Sequence, residues 1–249
     1  MIKRILILFA IAQLSMMGYS QTPKWAEKAK KAVFSVVTYD TNDKILNTGN
    51  GFFISEKGVA ISDYALFKNA QRAVIITSEG EKMPVKAILG ANDMYDVVKL
   101  SVDITSKKVA NLTLSETPMT EGTKLWLLPY STQKVRSLTS GNVNSVDKIS
   151  DYAYYTINLP LKEKMVSCPL MNDEGLVVAL AQKASGQDTA TICYGVDARF
   201  ANSQEITAIS YNDYALKQIG IKKALPETED QALIFLYMVS SQVDAEQYS

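Results

Sequence analysis

The sequence has 249 residues, 47% of them apolar, enough to close one or two sizeable cores without metals or disulfides. Its 26 basic and 26 acidic residues balance, so neither nucleic acid nor an anionic membrane surface is an expected partner. There is no histidine, which excludes every mechanism that uses imidazole as general base, metal ligand or proton shuttle.

Residues 1–20 read as a signal peptide. Lys3 and Arg4 give a positive start, residues 5–17 form an apolar stretch too short to span a bilayer, and Gly18-Tyr19-Ser20 places small residues where a signal peptidase reads. An uncleaved anchor helix is the other reading. No cysteine follows to carry a lipid. The expected product starts at Gln21, is slightly acidic, has no membrane attachment, and is exported to a periplasmic or extracellular location.

Residues 21–200 predict a mainly β unit. Short β-rich runs at 33–39, 51–55, 59–62, 73–77, 85–89 and 97–102 alternate with turn signals such as Asp40-Thr41-Asn42-Asp43 and Glu56-Lys57-Gly58. A polar link at 105–111 leads to a second set at 124–128, 140–143, 153–157, 177–181 and 190–196. The pattern predicts two tandem six-stranded-type β-barrels, about 32–103 and 112–200, sharing a cleft. Residues 201–249 predict a helical extension. Its first helix covers 203–220; a second runs to about 246 from a capping box at Thr228-Glu229-Asp230-Gln231, with Pro226 between them.

Five stretches follow one another in a telling order: Gly49-Asn50-Gly51-Phe52-Phe53-Ile54, Gly58-Val59-Ala60-Ile61-Ser62-Asp63-Tyr64-Ala65-Leu66, Asn92-Asp93-Met94-Tyr95-Asp96-Val97-Val98-Lys99-Leu100, Gly141-Asn142-Val143 and Gly195-Val196-Asp197-Ala198-Arg199. Between the last two, Val166-Ser167-Cys168-Pro169-Leu170, then Gly175 and an apolar run, fits a nucleophile loop without its nucleophile. The ensemble resembles the trypsin-like, HtrA-type serine peptidases over most of residues 32–200. That resemblance puts the triad histidine on Ala65, the aspartate on Asp96 and the serine on Val166. The oxyanion N–H groups fall on Lys164 and Val166, while Lys164, Ser167 and Cys168 replace three glycines. Without hydroxyl or base, triad hydrolysis is not expected.

The resemblance also implies a strand edge at Gln182, Lys183 and Ala184 against which a peptide pairs. Asp197 either lends negative charge to the base of a specificity pocket or turns to solvent. Cys168 and Cys193 either form a disulfide or sit as two separate buried residues. Two cysteines without histidine do not make a zinc site, and no cofactor or metal is expected. The expected function is an exported, catalytically inactive module that binds a peptide or protein or serves as scaffold. The alternative is a hydrolase using Ser167 or Cys168 with Lys162 or Lys164. A third reading gives partner docking to the C-terminal helices. The sequence leaves the oligomeric state open.

Overall fold

A computed structural model describes residues 22–105, 107–136, 138–149, 151–183, 192–202 and 209–223. One helical turn, α1 (Ala26–Ala29), and a 3-10 turn (Lys30–Ala32) precede β1 (Val33–Tyr39), β2 (Ile45–Phe53), β3 (Val59–Ser62), β4 (Arg72–Ile76), β5 (Lys82–Asn92) and β6 (Val97–Val102). These strands are antiparallel and run in the order β5-β4-β1-β2-β3-β6, with β6 pairing back onto β5. The second barrel closes in the order β10-β11-β12-β9-β8-β7. Its strands are β7 (Lys124–Leu127), β8 (Thr139–Ile149), β9 (Tyr152–Ile157), β10 (Pro169–Met171), β11 (Val177–Gln182) and β12 (Cys193–Asp197). Two six-stranded barrels stand where the spacing of β runs puts them.

The strands differ most from expectation in length. β5 spans 11 residues rather than the five of its apolar run, with register shifts at Val85/Ala87 and Ile88/Gly90. Such bulges bend a strand. One end of β5 therefore pairs with β4 and the rest with β6, which closes the barrel.

Side-chain alternation makes three cores from these strands. Phe53, Ala60 and Val98 point into barrel one, whereas their neighbours Phe52, Ile61 and Val97 join the layer between barrels. In barrel two, Leu125, Leu127 and Val178 face inward, while Trp126, Val177 and Leu180 meet barrel one. Both faces of these strands are buried, so they read as continuous apolar runs rather than alternating ones.

Backbone clearance is tight at Gly141 in β8, where a Cβ would stand 2.1 Å from the Asn158 carbonyl oxygen. Gly141→Ala is expected to lower stability by about 2–3 kcal/mol, read from urea denaturation, because the backbone must shift to admit a methyl group.

The first segment braces the second barrel although it leads into the first. Thr22 Oγ1 donates to the Arg136 carbonyl (2.6 Å), Trp25 Nε1 to the Asp173 carbonyl (3.0 Å), and Glu27 accepts from the Val135 N–H (2.6 Å). Lys30 reaches the Gln133 carbonyl. The link near 105–111 is strapped at its end: Leu112 N–H bonds Phe53 O at 2.8 Å and Ser115 N–H bonds Val177 O at 2.7 Å.

At the C-terminal side, a two-residue strand, β13 (Ile209–Ser210), adds to β5 and precedes α2 (Tyr211–Lys223). The sequence pattern, mainly helical over 203–220, gives no sign of that strand. Tyr211 and Tyr214 of α2 pack into the barrel-one core, and Tyr214 Oη donates to Phe67 O at 3.1 Å. Ser210 Oγ accepts the Asp213 N–H at 3.1 Å, capping the helix. The expected signal peptide at 1–20, the second helix to 246, and Ala184 lie outside the described residues. Among the described residues no helix is long and apolar enough to cross a membrane.

Candidate functional site

The end of β3, the β5–β6 turn, the loop 162–168 and the end of β11 converge where the two barrels meet. From barrel one, β3 ends in Ser62 and passes through Asp63 into a 3-10 turn (Tyr64–Phe67) that carries Ala65 at an exposed position. Asp96 sits in the β5–β6 turn with a left-handed φ of 52°. Its Oδ1 accepts the Ala65 N–H at 2.6 Å, and its carbonyl accepts the Tyr64 N–H at 3.3 Å. The Asp96 carboxylate thus holds the backbone of the turn that follows β3. Burial raises its pKa, against the lowering effects of the Ala65 N–H and of Lys68.

From barrel two, a 3-10 turn (Glu163–Met165) presents Lys164 and Val166. Their carbonyl oxygens accept from Asn50 Nδ2 at 3.1 Å and 2.7 Å. Asn50 belongs to β2 of barrel one, and its own carbonyl accepts from Ser62 Oγ at 2.6 Å. At Lys164 and Val166 the loop therefore turns carbonyl acceptors toward barrel one.

Ser167 adopts φ 64°, the left-handed region that favours glycine. Its N–H bonds Ala181 O at 2.9 Å, and its hydroxyl donates to Asp63 Oδ2 at 2.5 Å. Both side chains are deeply buried, with Ser167 1% and Asp63 5% exposed. Asp63 Oδ1 has no hydrogen-bond partner among the described residues. Burial pushes this carboxyl up to about 8 and negative Asp96 adds to the rise, while the Ser167 bond and the Gln182 carboxamide oppose it. Near neutrality Asp63 is mostly an uncharged acid.

This contact was not legible in advance. Sequence reasoning weighed Ser167 beside lysines; the structure gives it a carboxyl from the other barrel, and Lys164 is exposed. One signal was present: an aspartate stands where the family motif has alanine or asparagine, and a serine where it has glycine. The two departures meet in space.

Cys168 and Cys193 are buried free thiols. The disulfide reading does not hold here, for a geometric reason. Cys168 pairs with β11 through its carbonyl, and β12, which carries Cys193, lies on the other side of β11. With β11 between them, no bridge joins the two thiols in this structure. Burial pushes both thiols up to about 12, so neither is a ready nucleophile.

Asp197 is neither turned to solvent nor a bare charge. It is 1% exposed and meets Arg199 at 2.6 Å, while its carboxylate also accepts from the N–H groups of Ala153 (3.1 Å) and Arg199 (2.9 Å). At the strand edge, Gln182 is half-buried and donates from Nε2 to the carbonyls of Tyr95 (2.9 Å) and Asp96 (3.3 Å). Lys183 is exposed. Among the described residues no group of three or more metal-ligating side chains is found.

The model of the trypsin-like peptidase domain family matches residues 49–180, more than half of the chain and spanning parts of both barrels. The chain belongs to the trypsin-like peptidase domain family. No curated protein matches it significantly. Where the two barrels meet, Asn50, Asp63, Asp96, Ser167 and Gln182 bond one another's elements.

Proposed function

We propose that this trypsin-like domain is exported, does not hydrolyse peptides, and works by non-covalent contact with a peptide or protein. The observation that carries the loss of catalysis is the fate of the Ser167 hydroxyl. It is the hydroxyl next to the nucleophile position; it is buried, and its partner is an acid that burial keeps protonated near neutral pH. A protonated acid removes no proton from an alcohol. Val166 and Ala65 at the serine and histidine positions, and the carbonyls turned toward Asn50, support the same reading.

Recognition would use the end of β11. Ala181 O is already taken by the Ser167 N–H, so an incoming strand pairs from Gln182 outward and displaces the Gln182 side chain from the Tyr95 and Asp96 carbonyls. Export rests on the leader-like residues 1–20.

Two measurements test the proposal. Incubation with a fluorophosphonate and with a thiol-reactive probe is expected to leave Ser167 and Cys168 unlabelled; specific labelling that heat abolishes would overturn the loss of catalysis. Selection from a random peptide library is expected to enrich extended sequences whose binding weakens on Gln182→Pro. Absence of any enrichment would remove the peptide-binding role and leave an architectural one.

A further inference from the structure

Among the described residues, loop 162–168 is fastened to barrel one by hydrogen bonds from two places. Asn50 holds the carbonyls of Lys164 and Val166, and Asp63 holds the hydroxyl of Ser167. The two attachments differ in kind, because the Asn50 amide does not titrate and the Asp63 carboxyl does. We propose that the Asp63–Ser167 contact is a proton-operated latch: protonated Asp63 keeps loop 162–168 closed against barrel one, and loss of that proton releases the loop.

The geometry around Asp63 makes its ionisation costly while the loop is closed, although the Ser167 bond offsets part of that cost. Its carboxyl is enclosed, and Oδ1 has no donor. The groups that act on it are Asp96 from the β5–β6 turn, Ser167 from the loop and Gln182 from β11, and it in turn raises the Cys168 thiol. Asp96 is acidic, and the other three supply no positive charge. The nearby cation Lys68 pairs with Asp93 and acts on Asp96. Among the described residues a carboxylate formed here has the Ser167 hydroxyl and the Gln182 carboxamide for support, no cation against it, and another acid beside it. Water is the available remedy, and it reaches Asp63 when the loop lifts. Ser167 holds a left-handed backbone that a non-glycine residue adopts at a cost, so the loop closes under strain that its bonds must offset.

Release follows a definite pH course. In the closed state Asp63 titrates far above its value in water, so opening becomes easier as pH rises from about 4 to about 8 and levels off beyond. The proposal stands whether or not the domain binds peptide.

Hydrogen–deuterium exchange of the full chain, corrected for the intrinsic pH dependence of amide exchange, reads the loop directly. The Ser167 amide and its loop neighbours are expected to lose protection by up to about tenfold per pH unit between pH 5 and pH 8. Asp63→Asn, which cannot ionise, is expected to keep loop protection level over that range. Protection that does not change with pH in the unmodified protein, or that falls equally in Asp63→Asn, would overturn the latch. Carbon-13 NMR of the Asp63 carboxyl needs no variant. A midpoint well above the ordinary carboxylate range and moving with loop exchange supports the latch; an ordinary midpoint overturns it.

Discussion

Replacing Arg199 with alanine is expected to destabilise the protein by about 3 kcal/mol, a loss measurable by urea denaturation at pH 7. The guanidinium does several jobs at one corner of barrel two. It contacts both Asp197 carboxylate oxygens through Nε and Nη2, and it donates to the carbonyls of Glu116 (3.1 Å) and Asp151 (2.8 Å). Asp197 is buried at the end of β12. Removing the arginine side chain leaves that charge, among the described residues, with the backbone N–H groups of Ala153 and position 199, and a buried charge deprived of its partner costs far more than an exposed pair ever contributes. Arg199→Lys is expected to recover only part of the loss, since an ammonium cannot span Asp197 and two carbonyls at once. A loss below about 1 kcal/mol for Arg199→Ala would mean that water already screens Asp197.

The second large effect concerns Asp63 and has an unusual sign. Most buried carboxylates are held ionised by partners, so their contribution to stability disappears as pH falls. Asp63 runs the other way. Its folded-state pKa is raised from 3.8 to about 8, so between these values the folded protein holds a proton that the unfolded chain has released. Stability from this group is therefore full below about pH 4 and declines as pH rises, by up to about 1.4 kcal/mol per unit, until about pH 8. Local release of the loop caps the decline at the free energy of that opening. Asp63→Asn removes the dependence. Its advantage over the unmodified protein is expected to widen from pH 5 to pH 8 and then hold constant, in denaturation curves taken at each pH. A constant difference across that range would contradict a protonated Asp63.

Much of the fold could be read from the chain because burial on both faces leaves compact apolar runs between turn residues. Residues 33–39 and 97–102 show this directly: both runs match β1 and β6 to the residue. The long strands were harder. β8 continues to Ile149 through Asp147 and Lys148, polar residues that suit an exposed hairpin end and read as loop. β13 is two residues long and gains its strand character from β5, not from its own sequence. That positions 65 and 166 hold alanine and valine depends on residue identity alone and is plain in the chain. The contacts made around them are not plain. Asp63 and Ser167 are 104 positions apart and Asn50 and Val166 are 116 apart, so no local pattern links them. Each looks like an ordinary turn or strand-end residue until the barrels dock. The cysteines teach the converse, for nearness in sequence and shared burial do not overcome an intervening strand.

The brace formed by Thr22, Trp25, Glu27 and Lys30 has a consequence for the order of assembly. These residues precede both barrels in the chain, yet their seats are the backbone at residues 133–136 and at Asp173, which arrive more than a hundred positions later. The turn at Ala26–Ala29 must therefore wait, unseated, until those residues have been made. A fragment ending after β6 lacks every one of those seats, and a fragment starting at β7 lacks the plug that fills them. Neither half is a finished object, and the protein is expected to melt as one body.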